Sequence, residues 1–446
     1  MGTPRSTVAE LLTPVVRELA GEPPPVEFRF WDGSVIASPS SGTTVEVNTP
    51  TAVRRIFWRP DELGLSRAFV AGELAVDGDL YAALGLRDVI RRHKGERGAR
   101  LSWRARLALL RAAIRAGVLG MPPAAPAEEV RLRGSRHSRA RDARAVSHHY
   151  DISNDFYRLV LGETMTYSCA YFENQHDDLD DAQRAKYDLV CRKLGLSPGM
   201  RLLDIGCGWG GMTMHAVEHY GAQALGITLS EQQAQLARER IAAAGLSGSI
   251  EIRLQDYRDL EDGPFDAISS IGMFEHVGAA RLREYFTAVR RLLHPEGRLL
   301  NHAISRPGSS ARYRPAIGEN TFVGRYVFPD GELLEVGEVV SAMQDAGLEV
   351  RDVESLREHY ARTLRSWVTN LEGSWERAVD LVGPTRANIW RLYMAGSALE
   401  FEAARISIHQ VLGVHAGDRG ASGMPPTRAQ MLTPSRVEEP EPGRRS

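Results

Sequence analysis

Apolar and polar positions follow two different periods along this chain. Apolar residues recur at helical spacing from Val8 to Leu19, and the short alternating segments VEFRFWDGSVI and TTVEVNT follow, bounded by Asp32-Gly33 and Ser40-Ser41-Gly42. This first stretch reads as a small α+β domain. Arg91 to Arg115 is arginine-rich, with Leu101, Leu107, Leu110 and Ile114 near helical spacing, and Gly117 and Pro122-Pro123 end it. The pattern predicts a basic amphipathic helix, either a solvated arm or a surface for anionic lipid headgroups. The segment MPPAAPAEE reads as a linker. The expected division is therefore a lipid- or membrane-docking domain over 1–120 and a linker over 121–140.

Beyond His148-His149-Tyr150 the pattern changes. Strand-like runs RLLDIG, AQALGIT, IEIRLQ, FDAISSI and RLLNHAI alternate with helical segments such as SEQQAQLARERIAAAG. Such alternation describes a doubly wound α/β sheet, expected over 141–415. Residues 416–446 are rich in Pro, Gly, Ser and charge and predict a disordered tail.

Composition narrows the classes. A chain of 446 residues allows more than one core, and a net charge of -2 with 25% charged residues argues against a generally cationic nucleic-acid binder. Three cysteines, Cys169, Cys191 and Cys207, fit free thiols in a reducing cytosol better than a disulfide framework. The N-terminus lacks a signal-type apolar core, and no apolar run reaches the length of a membrane span. The expected location is cytoplasmic, with any membrane met peripherally at its inner face.

Chemistry first becomes visible at Leu203-Asp204-Ile205-Gly206-Cys207-Gly208-Trp209-Gly210, between an apolar strand and a helix. Glycines there let backbone approach a ligand, although a tight turn alone would also use them. The spacing lacks the third glycine of the dinucleotide fingerprint, and Thr228-Leu229-Ser230 stands where an acid would close the next strand, which disfavours NAD. DxGxGxG in this place resembles motif one of the class I S-adenosylmethionine-dependent methyltransferases, a Rossmann-like fold. In that class Asp256 would hold the adenine edge and Tyr257 its face, while Thr228 departs from the usual ribose-binding acid.

Several further segments, in order, carry a narrower resemblance: YDISNDFYRLVLGETMTYSCAYF (150–172), GITLSEQQ (226–233), SSIGMFEHVG (269–278), LLNHAIS (299–305), YVFPDGEL (326–333) and EHYARTL (358–364). Together they resemble the cyclopropane-fatty-acyl-phospholipid synthase and mycolic acid methyltransferase family, in which TLSxxQ after strand two accounts for Thr228 and Gln233. The resemblance implies a cofactor site of Tyr167, Ser168, Asp204, Gly206, Cys207, Gly208, Gly210, Thr228, Gln233, Asp256 and Tyr257 for S-adenosylmethionine. It also implies a bicarbonate ion acting as base, held by Cys169, Glu275, His302, Ile304 and Tyr360; no metal is expected.

The implied chemistry is demanding. An alkene attacking a sulfonium methyl becomes a carbocation, which must be kept from water until a base takes one proton. Backbone amides, His302 and Tyr360 can donate to an anion, and Glu275 can orient it. Outside this context Cys169 would read as a small core hydrophobe and His302 as a satisfied core histidine, whereas an acid after AISSIGMF is costly to bury without a partner. Phe172, Tyr285, Phe286, Tyr326, Phe328 and Trp367 can line an acyl tunnel, although core packing is the commoner use of such residues. Met394 in Tyr393-Met394-Ala395-Gly396 replaces a cysteine found in some relatives and excludes covalent catalysis there.

The expected substrate is thus the double bond of an unsaturated phospholipid acyl chain at a membrane surface, and the expected product a cyclopropane. A methyl- or methylene-branched chain, or C-methylation of a small secondary metabolite, is the enzymatic alternative; a non-catalytic lipid-binding scaffold is the other. No NPPY-like motif points to nucleic acid. A homodimer is compatible with all of these readings.

Overall fold

A computed structural model describes residues 6–39, 42–94, 102–115, 117, 120–130, 141, 153–308, 318 and 320–433. The chain divides into two compact units: Met1–Arg131 with Glu319–Pro329 and Ser374–Leu399, and Leu132–Gly318 with Asp330–Gly373 and Glu400–Ser446.

In the first unit, Thr7 and Glu10 form a capping box at the start of α1 (Val8–Ala20). The helix buries Val8, Leu12 and Val15 against Phe30, Ile36 and Val47. These last come from β1 (Glu27–Phe30), β2 (Val35–Ile36) and β3 (Thr44–Val47), which with β4 (Leu74–Asp77) form a sheet of order β2-β1-β3-β4. The expected α+β pattern is present, including the β1–β2 hairpin around Asp32-Gly33.

The single basic helix expected over 91–115 is corrected. One helix ends at Lys94 (α4, Leu80–Lys94, following α2, Pro50–Trp58, and α3, Glu62–Val70), and another begins at Trp103 (α5, Trp103–Arg115). Ser102 starts the new helix: its Oγ accepts from the Ala105 amide at 3.2 Å and donates to Glu18 Oε2 at 2.5 Å. Gly95 and Gly98 lie in the intervening sequence, at 95–101, which is outside the described residues.

The expected single boundary at 121–140 is also replaced, since the chain returns to the first unit twice. Glu129 holds the Arg67 guanidinium by two bonds of 2.7 Å and accepts from Tyr326 Oη at 3.4 Å, and the Val130 amide donates to the Arg325 carbonyl at 2.8 Å. Buried polar groups with partners this far along the chain tie 319–329 to that core. Linker residues 131–140 lie outside the described set.

The second unit is a doubly wound sheet. After α6 (Asn154–Leu161) and α7 (Leu179–Leu194) come β5 (Arg201–Ile205), α8 (Gly211–Tyr220), β6 (Gln223–Thr228), α9 (Glu231–Ala243), β7 (Ile250–Leu254), β8 (Phe265–Ile271), α10 (Leu282–Leu292) and β9 (Leu293–Arg306). β10 (Leu334–Glu335), α11 (Val336–Asp345), β11 (Glu349–Ser355), α12 (Arg357–Gly373) and β12 (Ser407–Val414) complete it. The order is β11-β12-β9-β8-β5-β6-β7, parallel from β9 through β7, with β12 antiparallel to both its neighbours.

Strand alternation sorts the core into two layers. Leu203, Ile205, Leu225, Ile227, Ile268 and Leu299 pack with Tyr285, Phe286 and Val289 of α10 and Met343 of α11. Leu202, Ala224, Ala267 and Leu300 pack with Val190, Met212 and Ala237 from α7, α8 and α9. The strand order reverses at β5, whose two neighbours are β6 and β8, and this places a ligand crevice beyond its carboxyl end.

The tail departs from its expected disorder over 416–433. Met431, in α13 (Ala429–Leu432), is buried, its carbonyl accepts from Arg192 at 3.0 Å, and Met424 packs on the same core layer as Met431. Two methionines spaced along a polar segment supply the apolar contact that overall composition conceals. Residues 434–446 lie outside the described set.

Candidate active site

β5 delivers Asp204 and then turns at Gly206, whose φ of +82° belongs to the left-handed region. The Gly206 and Cys207 amides both donate to the Ile227 carbonyl, at 2.9 and 3.0 Å, so the turn is fixed to the end of β6. A side chain at Gly206 would meet Met273 at 3.1 Å, whereas one at Gly208 would meet nothing within 4 Å.

Around this turn lies a cavity of about 150 Å³, lined by Asp204, Gly206, Cys207 and Gly208 from the turn, and by Tyr167, Ser168, Thr228, Gln233, Asp256 and Tyr257 from other segments. Of the expected cofactor residues, Gly210 alone stands outside the lining; it precedes α8 with φ +82°. Thr228 Oγ1 donates to Gln233 Oε1 at 2.8 Å, and Ser230 caps α9 by accepting from the Gln233 amide, so TLSxxQ here is a strand end joined to a helix start. Asp256, expected at an adenine edge, is already engaged by Arg258, through Nε at 2.8 Å and Nη2 at 2.5 Å. Tyr257 stands edge-on to Tyr285, with centroids 5.1 Å apart.

Sequence reasoning missed Lys186. It is 1% exposed, lines the cavity, donates to Ser168 Oγ at 3.0 Å and lies 4.0 Å from the Tyr187 ring centroid. Burial pushes its ammonium down to about 7. The signal was a lysine in phase with Gln183 and Val190 on the inward face of α7. Asp204 is likewise pushed up by burial, to about 6, against a 2.7 Å bond from Ser269 Oγ and the field of Lys186. Met273 and His276, which follow β8, also line the cavity and had no role in the sequence reading.

The five residues expected around an anion fall into two groups, none lining the cavity above. Glu275 is buried in a short 3-10 turn after β8, and its Oε1 accepts from the Ile304 amide at 2.7 Å. That amide, expected to donate to the ion, is therefore already taken. His302 lies two residues before Ile304 on β9, and its Nδ1 is 3.3 Å from Gln410 Nε2. With the Gln410 amide donating to Nδ1, the imidazole proton is assigned to Nε2. Among the described residues, Glu275 Oε2 and His302 Nε2 are both buried without a hydrogen-bond partner. Burial raises the Glu275 carboxyl above its ordinary range and lowers His302 well below its own, which favours the neutral form of each.

Cys169 and Tyr360 meet at the start of α12. The Cys169 thiol lies 3.7 Å from the Leu356 carbonyl, which also accepts the Tyr360 amide at 3.1 Å. Burial holds that thiol protonated, so it is no nucleophile. Strand pairing draws the two groups together: the Leu356 amide donates to the Ile408 carbonyl, and Ile408 faces Ile304 across β12 and β9. Trp367 stacks on Tyr167 with centroids 5.3 Å apart and stands edge-on to Tyr360 at 6.0 Å, spanning from the cofactor cavity to the second group. Of the other aromatic residues named for a tunnel, Tyr285 and Phe286 are core, and Phe172 lies under the Arg362 guanidinium. Tyr326 and Phe328 belong to the other unit.

The family model described as mycolic acid cyclopropane synthetase matches residues 137–411. The chain is 39% identical over 442 residues to a protein of Mycobacterium tuberculosis named as a probable fatty acid methyltransferase, covering 95% of this chain and 98% of that one. It is 35% identical over 315 residues to the cyclopropane-fatty-acyl-phospholipid synthase of Escherichia coli K12, covering 69% and 79%. The crystal structure of the mycolic acid cyclopropane synthase CmaA1 with SAH superposes with a TM-score of 0.58 at 36% identity, over 61% of this chain and 97% of that one. The chain belongs to the mycolic acid cyclopropane synthetase family, S-adenosylmethionine-dependent methyltransferases that act on fatty acyl lipids.

Proposed function

We propose that this enzyme adds a methylene unit across the double bond of an unsaturated phospholipid acyl chain, giving a cyclopropane. The observation that carries the reading is the pair of buried polar atoms without a partner among the described residues, Glu275 Oε2 in the turn after β8 and His302 Nε2 on the adjacent strand β9. Buried donors and acceptors without partners are costly, and a small polar ion satisfies both.

Bound S-adenosylmethionine supplies the electrophilic methyl carbon. Gly206 and Gly208 leave room for the cofactor, and Ser168 and Lys186 present a hydroxyl and a cation to its polar end. Of the other cations of the lining, Arg258 is paired with Asp256 and Arg281 with Glu284, so the buried Lys186 is the charge assigned to a carboxylate. Trp367 and Tyr360 screen the acyl cation from water with apolar ring faces. Proton loss needs a base, and bicarbonate fits between a neutral Glu275 that donates and a His302 that donates through Nε2. Tyr360 and the Cys169 segment close that place from the α12 side.

The direct test is the fatty-acid profile of a host rich in monounsaturated lipid expressing this chain. The expected result is a mass gain of one methylene per chain with upfield cyclopropane proton signals. The same mass gain without those signals identifies a methylene-branched, still unsaturated product and overturns the ring assignment.

Lys186 gives a pH signature. Pairing with a carboxylate raises its pKa above about 7, so SAH affinity stays flat below that pH and falls as pH rises through it. Lys186→Met should weaken SAH binding by about tenfold at pH 6.5 and flatten the dependence, given roughly 1.5 kcal/mol for a hydrogen bond to a charged group. Titration calorimetry of both proteins between pH 6 and 9 checks this, and because SAH's own ionisations are common to both, parallel curves would remove the pairing.

A further inference from the structure

The outward face of α5 carries an apolar stripe that no described residue of the first unit covers. Trp103, Leu107, Leu110 and Ile114 are 70%, 37%, 41% and 57% exposed. At 100° per residue these four positions fall within an arc of about 60°. The opposite face, Ala105, Ala112 and Ala113, is buried in the core of the first unit. Arg104, Arg111 and Arg115 flank the stripe on one side and Arg106 on the other, all exposed, and the helix contains no acidic residue.

Apolar side chains in a line, bordered by cations on both sides and anchored from behind by small residues, have the form of a helix lying in a membrane interface. Both halves are required. Arginines alone describe a solvated face, and an exposed apolar stripe alone fits any partner. Together they match a layer with anionic phosphates at the height of the guanidinium groups and hydrocarbon beneath, where a tryptophan at the helix start is also favourable.

We propose that α5 is the docking element of this enzyme, seated in the plane of an anionic lipid bilayer with Trp103, Leu107, Leu110 and Ile114 below the phosphates. The inference rests on the acyl-lipid reading above for its biological purpose, but the binding itself can be tested apart from catalysis. Stripe and arginines then act differently: the arginines set a salt-dependent attraction, and the stripe supplies a component that salt does not remove.

The full-length protein is sedimented with vesicles of mixed monounsaturated phosphatidylglycerol and phosphatidylcholine, as wild type and as L110E/I114E. We expect about a hundredfold loss of partitioning in the double variant at both low and high salt. Turnover on detergent-dispersed unsaturated phospholipid should be unchanged. Retained vesicle binding overturns the proposal, as does equal loss of turnover on dispersed lipid, or a wild-type dimer that the variant dissolves, which would make the stripe a contact between copies. Should the double variant not fold, brominated-lipid quenching of the wild type against Trp103→Phe decides: quenching that persists in Trp103→Phe overturns it. If binding depends on the stripe while no lipid is turned over, docking stands and the catalytic reading falls.

Discussion

Gly206→Val is expected to lower SAH affinity by at least about a hundredfold while leaving a protein that still folds. Two stability costs add at this position, and the filling of the cavity falls on binding. A β-branched residue held at φ +82° is strained by roughly 1–2 kcal/mol, and its Cβ starts 3.1 Å from Met273, so the valine methyls must displace that side chain at about 1–3 kcal/mol more. The space they take is in the cavity proposed for the cofactor. Gly208→Ala provides the contrast. Its Cβ meets no protein atom within 4 Å, so the local fold bears only the strain of φ +53°, and the loss of SAH affinity measures the room that Gly208 leaves for the cofactor. Calorimetric titration of both variants, with thermal melts to show they are folded, checks the pair. A folded Gly206→Val protein with unchanged SAH affinity would dismiss the glycine turn as the cofactor site.

Much of this was legible because strand alternation and the glycine turn are local properties. The five sheet strands read from the sequence all appear, since each is a short apolar run whose alternate residues meet a helix layer on either side. β11 and β12 escaped notice. EVRDVES is mostly polar and SIHQVLGV carries a histidine and a glutamine, because the sheet edge faces solvent and Gln410 turns inward to meet His302. Break points between helices were equally hidden, as Ser102 becomes a cap only when Glu18, distant in sequence, is folded beside it.

At the site, the sequence showed which residues were unusual but not how their bonds were distributed. Ile304 looked like an amide donor for an ion, and its amide is instead the partner of Glu275. Asp256 looked available to a base edge, and Arg258 two residues on occupies it. Lys186 has no role in the sequence reading, because its burial depends on Ser168, Tyr187 and Asp204 arriving from separate segments. Pairing between distant segments is the information that a linear pattern lacks.

Glu275→Gln should reduce turnover by about 10²–10³-fold, the range for disturbing a placed hydrogen-bonding group on an anion, while changing SAH affinity by less than about threefold. The separation follows from position: Glu275 does not line the cofactor cavity, and its carbonyl-like replacement still accepts from the Ile304 amide, so the local fold is kept. What disappears is the acid proton on the atom that lacks a protein partner, Oε2. Burial raises the Glu275 carboxyl, so the donating form survives past the ordinary carboxylic range and is lost as pH rises through the elevated value. Wild-type turnover should accordingly decline on that alkaline limb, and the glutamine variant should lack the limb because its amide does not titrate. Tyr360→Phe, which keeps the ring between Trp367 and Phe401, should cost less, about 10–10²-fold. Added bicarbonate should partly restore this weaker variant if the hydroxyl acts by holding the ion. Single-turnover assays in bicarbonate-depleted and bicarbonate-supplemented buffer measure all of these effects. Near-normal rates for both variants in depleted buffer would rule out an anion held by Glu275 and Tyr360 as the base, and would leave the proton to be taken elsewhere in the pocket.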